Sequence, residues 1–248
     1  MPKVEFAEAN YFEDSMIELE WLGQIEYEAA WALQKELVAK RTEGQIPDRL
    51  LLLEHAPVYT MGRSGSEANL LFDEARRAAE GIGLFWVDRG GDVTYHGPGQ
   101  LVGYPIIQLR ELHQRQGRER LDLHLYLRQL EELIILTLAD FGVQSWRYEG
   151  YTGVWVTTGA GPRKIAAIGI KVSSKGVTSH GFALNVDPNM THFSGIVPCG
   201  IEEHGVISLA ELLDRPVTIA EVIPALTAKL PALFVSETSW LVQPSLST

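Results

Sequence analysis

Between residues 153 and 186 three strand patterns follow one another with no helical pattern between them: GVWVTT (153–158), KIAAIGIKV (164–172) and VTSHGFALNV (177–186). A doubly wound parallel sheet needs a helix after nearly every strand, so this run argues against that architecture. The rest of the chain supplies helices. Ile25, Ala29, Leu33 and Leu37 recur on one stripe of a helix over 24–41, after a strand at 15–23. RLLLLEH (49–55) reads as a buried strand and LFWVDR (84–89) as another. A short helix starts at Asp73 and stops at Gly81. A long one runs over 121–141 with Leu123, Tyr126, Leu127, Leu130, Leu133 and Ile134 inward, and Gly142 ends it. Two capping boxes, Ser208 with Glu211 and Thr218 with Glu221, open C-terminal helices, the second limited or kinked by Pro224. The fold class expected is α+β, a mixed β-sheet packed with helices. No Pro/Gly/Ser-rich linker divides the chain, so a single domain over 1–248 is expected, with a helical appendage from about 206 to 248.

Composition narrows the function. A formal net charge of −11 argues against a general nucleic-acid binder. The apolar run LIILTLA (133–139) is far too short to span a bilayer, and the acidic first residues carry no apolar signal segment. The single cysteine, Cys199, rules out an internal disulfide and fits a reducing cytoplasm. Neither nucleic acid nor membrane is expected as a partner.

RGGDVTYHGPGQ (89–100) holds four glycines in twelve residues, a turn that lets backbone approach a ligand closely. It is not a phosphate-cradling GxxxxGK[ST] loop. An apolar strand, QLVGYPIIQL, begins at its last residue, so the turn suits an amphiphilic ligand. In RKIAAIGIK (163–171) strict alternation puts Lys164 on one face with Ala166, Ile168 and Ile170, and Lys171 on the other. A lysine at the start of an apolar strand can snorkel to solvent or, partly desolvated, exchange protons. His180 and Gly181 interrupt a strand pattern, which suggests a bulge or backbone close to a ligand. His96 and His180 lack a helical partner or a second cysteine, so no metal is expected. Arg110, Arg115, Arg118 and Arg120 form either a solvated loop or a local basic patch. Cys199, in FSGIVPCGI (193–201), is by its type alone more readily read as a buried core residue than as a reactive one.

Taken in order, RGGDVTYHGPGQLVGYPIIQL, KIAAIGIKV, SHGFALNV and IVPCGI resemble the bacterial octanoyltransferase family, also called lipoyl(octanoyl) transferase or lipoate–protein ligase B. The resemblance is strong over 89–201 and loose over most of the chain. It implies the fold of the biotin and lipoate protein ligase catalytic domains. It implies transfer of an octanoyl group from octanoyl-acyl carrier protein to the target lysine of lipoyl domains, those of 2-oxoacid dehydrogenase complexes and of glycine cleavage H protein. It implies no cofactor. Cys199 then matches the acyl-thioester nucleophile and Lys164 its dyad partner. The substrate-binding stretches match Arg89, Gly90, Gly91, Asp92, Val93, Thr94, Tyr95 and His96, then Ala167, Ile168 and Gly169, then Gly181, Phe182 and Ala183. Phe182 stands where leucine is common in the family, and EEHG after PCGI is more acidic than usual. The carrier and the lipoyl domain are generally acidic, so the arginines of 110–120 are the expected docking patch. Two rivals remain at this stage: an ATP-dependent ligase of the same fold, and a non-catalytic carrier-binding module.

Overall fold

A computed structural model describes residues 17–197 and 204–234. Seven strands form the main sheet in the order β1-β2-β6-β10-β9-β8-β7. β1 (Ile17–Ile25) runs parallel to β2 (Asp48–His55), joined by α1 (Tyr27–Thr42) across the sheet. The remaining pairings are antiparallel and involve β6 (Gln100–Ile106), β10 (Thr178–Asn185), β9 (Gly161–Val172), β8 (Val154–Thr158) and β7 (Ser145–Trp146). β3 (Val58–Met61) is the middle strand of a second sheet, parallel to β4 (Gly83–Trp86), which it reaches through α2 (Glu74–Ala79), and antiparallel to β5 (Val93–His96). The three consecutive strand patterns of 153–186 become β8, β9 and β10, and the architecture is the mixed-sheet α+β fold.

Apolar periodicity explains the main core. α4 (Leu123–Ala139) lays Tyr126, Leu130, Leu133, Ile134 and Leu138 on the sheet, where they meet Leu52, Leu101, Val154, Ile165 and Leu184. Leu123, expected inward, is 42% exposed, because it stands at the first turn where the helix leaves the core. α5 (Leu209–Leu213), α6 (Ile219–Thr227) and α7 (Leu230–Phe234) contribute Leu209, Ile219, Val222, Leu226 and Phe234 to this same cluster. Both C-terminal capping boxes form as expected: the Ser208 hydroxyl accepts from Glu211 N, and the Thr218 hydroxyl from Glu221 N. β1 reaches two residues further than its sequence pattern suggests. Its register breaks between Trp21 and Gln24, where Gly23 takes a φ of +65°, and Gln24 and Ile25 then rejoin β2.

One extra residue in β9 has the largest consequence. Val154 pairs with Ala166, but the next residue, Trp155, pairs with Lys164. Ile165 is therefore a β-bulge, and it and Ala166 both point into the main core. The alternation inverts at that point. Lys164 thus shares a face with Ala167, Gly169 and Lys171, not with Ala166, Ile168 and Ile170 as strict alternation requires.

The arginine-rich stretch also differs from expectation. α3 (Leu109–Arg115) ends on Arg115, which donates to Asp48 Oδ2 at 2.9 Å. Asp48 is 1% exposed and its other oxygen accepts from Arg41 Nε and Gln108 N, both at 2.8 Å. Arg115 is thus a partner of a buried carboxylate that ties α1, β2 and α3 together, and not a purely solvated charge. Arg115→Glu should lower unfolding stability by roughly 3 kcal/mol, since it removes a cation from a buried charge and adds a repelling one. Arg120→Glu, at an exposed position, should stay within about 0.5 kcal/mol. Urea titration of both variants distinguishes a structural Arg115 from a surface one.

Candidate active site

The site has a floor of the smallest side chains. On β9 and β10, Ala167 pairs with Ala183 and Gly169 with Gly181. A methyl group added at Gly169 would lie 3.0 Å from Gly90 O and 3.2 Å from Arg89 Cδ. The glycine-rich turn can therefore lie directly on the sheet, and Gly90 N donates to Ile170 O at 3.0 Å to hold it there. Between turn and floor is a cavity of about 580 Å³. Residues 89 to 94, His96, Lys164, 167 to 169 and 181 to 183 all line it. Phe182 also belongs to the main core.

Tyr95 alone among the expected binding residues faces elsewhere. β5 alternates, so Thr94 and His96 meet the cavity while Tyr95 points into a separate cluster. Its hydroxyl contacts His192 Nδ1 at 2.8 Å, and Tyr59 donates to His192 O at 2.5 Å. Together the two tyrosines hold the 3-10 helix Met190–Gly195, which leads toward Cys199.

Lys164 is 6% exposed and its ammonium lies 4.9 Å from the centroid of the Trp155 ring, its partner across the bulge. The chain that follows Cys199 returns beside it. Lys164 N donates to Gly205 O and Ile207 N to Lys164 O, both at 3.0 Å. The loop opposite is held by Glu131, which is fully buried and accepts from Gly153 N at 3.1 Å, Arg128 at 2.5 Å and Arg147 Nε at 3.2 Å. That loop brings Gly150, Tyr151 and Thr152 to the cavity rim beside Leu123 and Leu127.

Cys199 lies outside the described residues, but both neighbouring stretches are described. On one side Val197 N donates to Asn69 O at 2.9 Å, and Asn69 Nδ2 donates to Asp92 Oδ2. Asp92 Oδ1 accepts from Val93 N at 2.7 Å and Ser66 N at 3.2 Å, so its role in the turn is to anchor backbone. On the other side Val206 lines the cavity and bridges to Lys164.

The far end of the cavity is polar. Tyr27, Tyr104 and His180 line it, and His55 Nε2 contacts the Tyr104 hydroxyl at 2.8 Å from behind. His180 has a φ of +56° and its Nε2 meets Asp88 Oδ1 at 2.9 Å, while Asp88 also pairs with Lys171. Those two partners hold the Asp88 carboxyl down at about 2, against the opposing push of its partial burial. Burial lowers His55 to about 4, with the Ile25 carbonyl opposing, and lowers His96 well below the ordinary imidazole value, helped by nearby His55. Burial likewise keeps the Tyr27 and Tyr104 phenols protonated. Among the described residues no group of three or more His, Cys, Asp or Glu could hold a metal ion, and no helix is long and apolar enough to cross a membrane.

Sequence reasoning did not single out Tyr27, Tyr104, Gln100, Asn185 or Asn69. Gln100 and Asn185 stand inside quoted motifs, at the end of RGGDVTYHGPGQ and within SHGFALNV. Tyr27 and Asn69 carry no local signal.

This geometry has known counterparts. The chain matches the lipoyl protein ligase A/B catalytic domain family over residues 26–231. It is 51% identical over 201 residues to an octanoyltransferase of Rubrobacter xylanophilus, covering 81% of this chain and 85% of that one. It is 48% identical over 217 residues to the octanoyltransferase of Chloroflexus aurantiacus, covering 88% and 93%. A bipartite lipoate protein ligase of Thermoplasma acidophilum shares the fold, with a TM-score of 0.65 at 16% identity over 92% of this chain and 87% of that one. The chain belongs to the lipoyl protein ligase A/B catalytic domain family, and within it to the octanoyltransferases.

The buried histidines make stability pH-dependent. His55 titrates at about 4 in the folded chain against an ordinary 6.5, so between those values the unfolded chain binds a proton that the folded chain refuses. Its contribution is complete above pH 6.5 and is lost as pH falls toward 4. From pH 7 to pH 5 His55 alone should cost about 2 kcal/mol of stability. Urea unfolding at the two pH values should show a smaller drop in His55→Asn by about that amount; an unchanged drop would mean that His55 is protonated in the fold.

Proposed function

We propose that this chain transfers an octanoyl group from an acyl carrier thioester to a lipoyl-domain lysine, through a thioester on Cys199. The observation that carries the reading is the placement of Lys164. It is buried in a cavity of suitable size for a fatty chain, and the segment bearing Cys199 is anchored at both ends to the walls of that cavity. The octanoyltransferase relatives support the donor and acceptor chemistry.

Each step balances. The Cys199 thiolate attacks the carrier thioester carbonyl, a new C–S bond forms, and the carrier's C–S bond breaks to release its thiol. The lysine amine of the lipoyl domain then attacks the cysteine thioester. A C–N bond forms, the C–S bond breaks, and the thiolate returns. A cationic Lys164 favours the thiolate in the first step and passes a proton to the departing carrier thiolate, which leaves as the thiol and makes Lys164 neutral. In the second, Lys164 in its neutral form takes the proton that the attacking amine loses. Backbone N–H groups beside Cys199 or in the glycine turn are the candidate donors to the oxyanion. The floor of Ala167, Gly169, Gly181 and Ala183 leaves room for the chain, and the arrival of the acyl group as a thioester removes any need for ATP. The acceptors are the lipoyl domains of 2-oxoacid dehydrogenase complexes and glycine cleavage H protein.

Cys199→Ser should fold and lose transfer by orders of magnitude, because a serine alkoxide is far harder to generate. Lys164→Ala should abolish turnover. Incubation with a lipoyl domain and octanoyl-carrier should add an octanoyl group to the domain without ATP or magnesium, and free octanoate should not serve even with both present. Acceptor mass after each incubation decides it. Modification that requires free acid, ATP and magnesium would make the chain a ligase.

A further inference from the structure

A hydrogen-bond chain runs along the cavity wall, and its direction is fixed by elimination. Asn185 Nδ2 donates to Ile207 O at 3.1 Å, which leaves its Oδ1 to accept from Gln100 Nε2 at 2.9 Å. Gln100 Nε2 spends its other hydrogen on Tyr95 O at 3.0 Å. Turning either amide over would set an oxygen against a backbone carbonyl, so neither can be reversed. Gln100 Oε1 is therefore an acceptor, and His96 Nδ1, 2.7 Å away, must carry the hydrogen. With His96 neutral, its Nε2 bears a lone pair that faces Thr60 Oγ1 at 3.3 Å. Thr60 Oγ1 itself accepts from Arg89 at 2.9 Å and so turns its hydrogen to His96. The chain runs from Arg89 through Thr60, His96, Gln100 and Asn185 to the carbonyl of Ile207.

Its two ends matter. Arg89 begins the glycine turn, and Ile207 belongs to the ribbon paired with Lys164 just beyond the Cys199 segment. Gln100, Asn185 and His96 are 2%, 4% and 6% exposed, so a broken link would leave buried polar atoms unsatisfied. We propose that Gln100 and Asn185 are positioning residues that lock His96 in its Nδ1–H form and brace the 205–207 ribbon against Lys164. They act through His96 and the ribbon and need no contact with substrate. The inference rests on the proposed acyl transfer for its kinetic consequence, though not for the tautomer itself.

The test uses the full-length protein labelled with nitrogen-15. Long-range proton–nitrogen correlations, with the His96 signals assigned by His96→Gln, should show a hydrogen on Nδ1 and none on Nε2 at neutral pH. A hydrogen on Nε2 would overturn the brace. In Gln100→Met the ring should shift toward the Nε2–H form. In that variant and in Asn185→Leu, kcat for octanoyl transfer should fall by at least about 10-fold, with KM for octanoyl-carrier within about 3-fold, as expected for misplaced reacting groups. If either variant folds and keeps kcat within about 2-fold, the positioning role is wrong. Where a variant fails to fold, the wild-type tautomer still decides. Absence of octanoyl transfer by the wild-type protein would instead refute the proposed function and leave the tautomer result standing.

Discussion

Ile165 stands opposite no residue of β8, and the ladder on either side of it is offset by that one position. Without the bulge, Lys164 would point into the main core with Ala166, where a charged ammonium would be left among leucines and valines. With it, the ammonium sits over Trp155 at the cavity wall, and Ala167 and Gly169 fall on the cavity face. The bulge therefore places both the cation and the floor. On the other side of β9 the ladder with β10 ends at Ala166, and the 205–207 ribbon takes up the backbone edge at Lys164.

The other constraint is close approach. The glycine turn can lie on β9 only because Gly169 has no side chain, and Gly90 can then bond to Ile170; Gly181 in turn lets β10 lie close against Gly103 and Pro105 of β6. From the turn, Asp92 reaches Val197 through Asn69, and Arg89 reaches Ile207 through four side chains. The stretch from 198 to 203 is thus bounded on each side by residues bonded to one rigid element. Pre-paid ordering of this kind is what converts a nucleophile and a proton acceptor into an effective pair.

Much of the local structure was legible because its cause is local. The caps at Asp73, Ser208 and Thr218 depend on residues three apart, and each forms as the sequence indicates. The mixed sheet was legible from strand runs without intervening helices. Lys164 as a candidate site residue was legible only through resemblance, and its face was misjudged, since a bulge is a property of two strands and strict alternation assumes none. Arg115 reads as surface charge until Asp48, 67 residues away, is folded beside it. Gln100 and Asn185 escaped for the same reason: their hydrogen bond joins residues 85 apart, and an amide in a strand pattern carries no sign of the partner that will meet it.

In the proposed transfer Cys199 holds the acyl group while Lys164 manages its protons. Intact mass of the protein after mixing with octanoyl-carrier, with no acceptor present, tests it most directly. One octanoyl group per chain should appear, mapped to the peptide containing Cys199, absent from Cys199→Ala, and discharged when a lipoyl domain is added. An unmodified protein that still octanoylates the lipoyl domain, or an adduct that the domain cannot discharge, would contradict it.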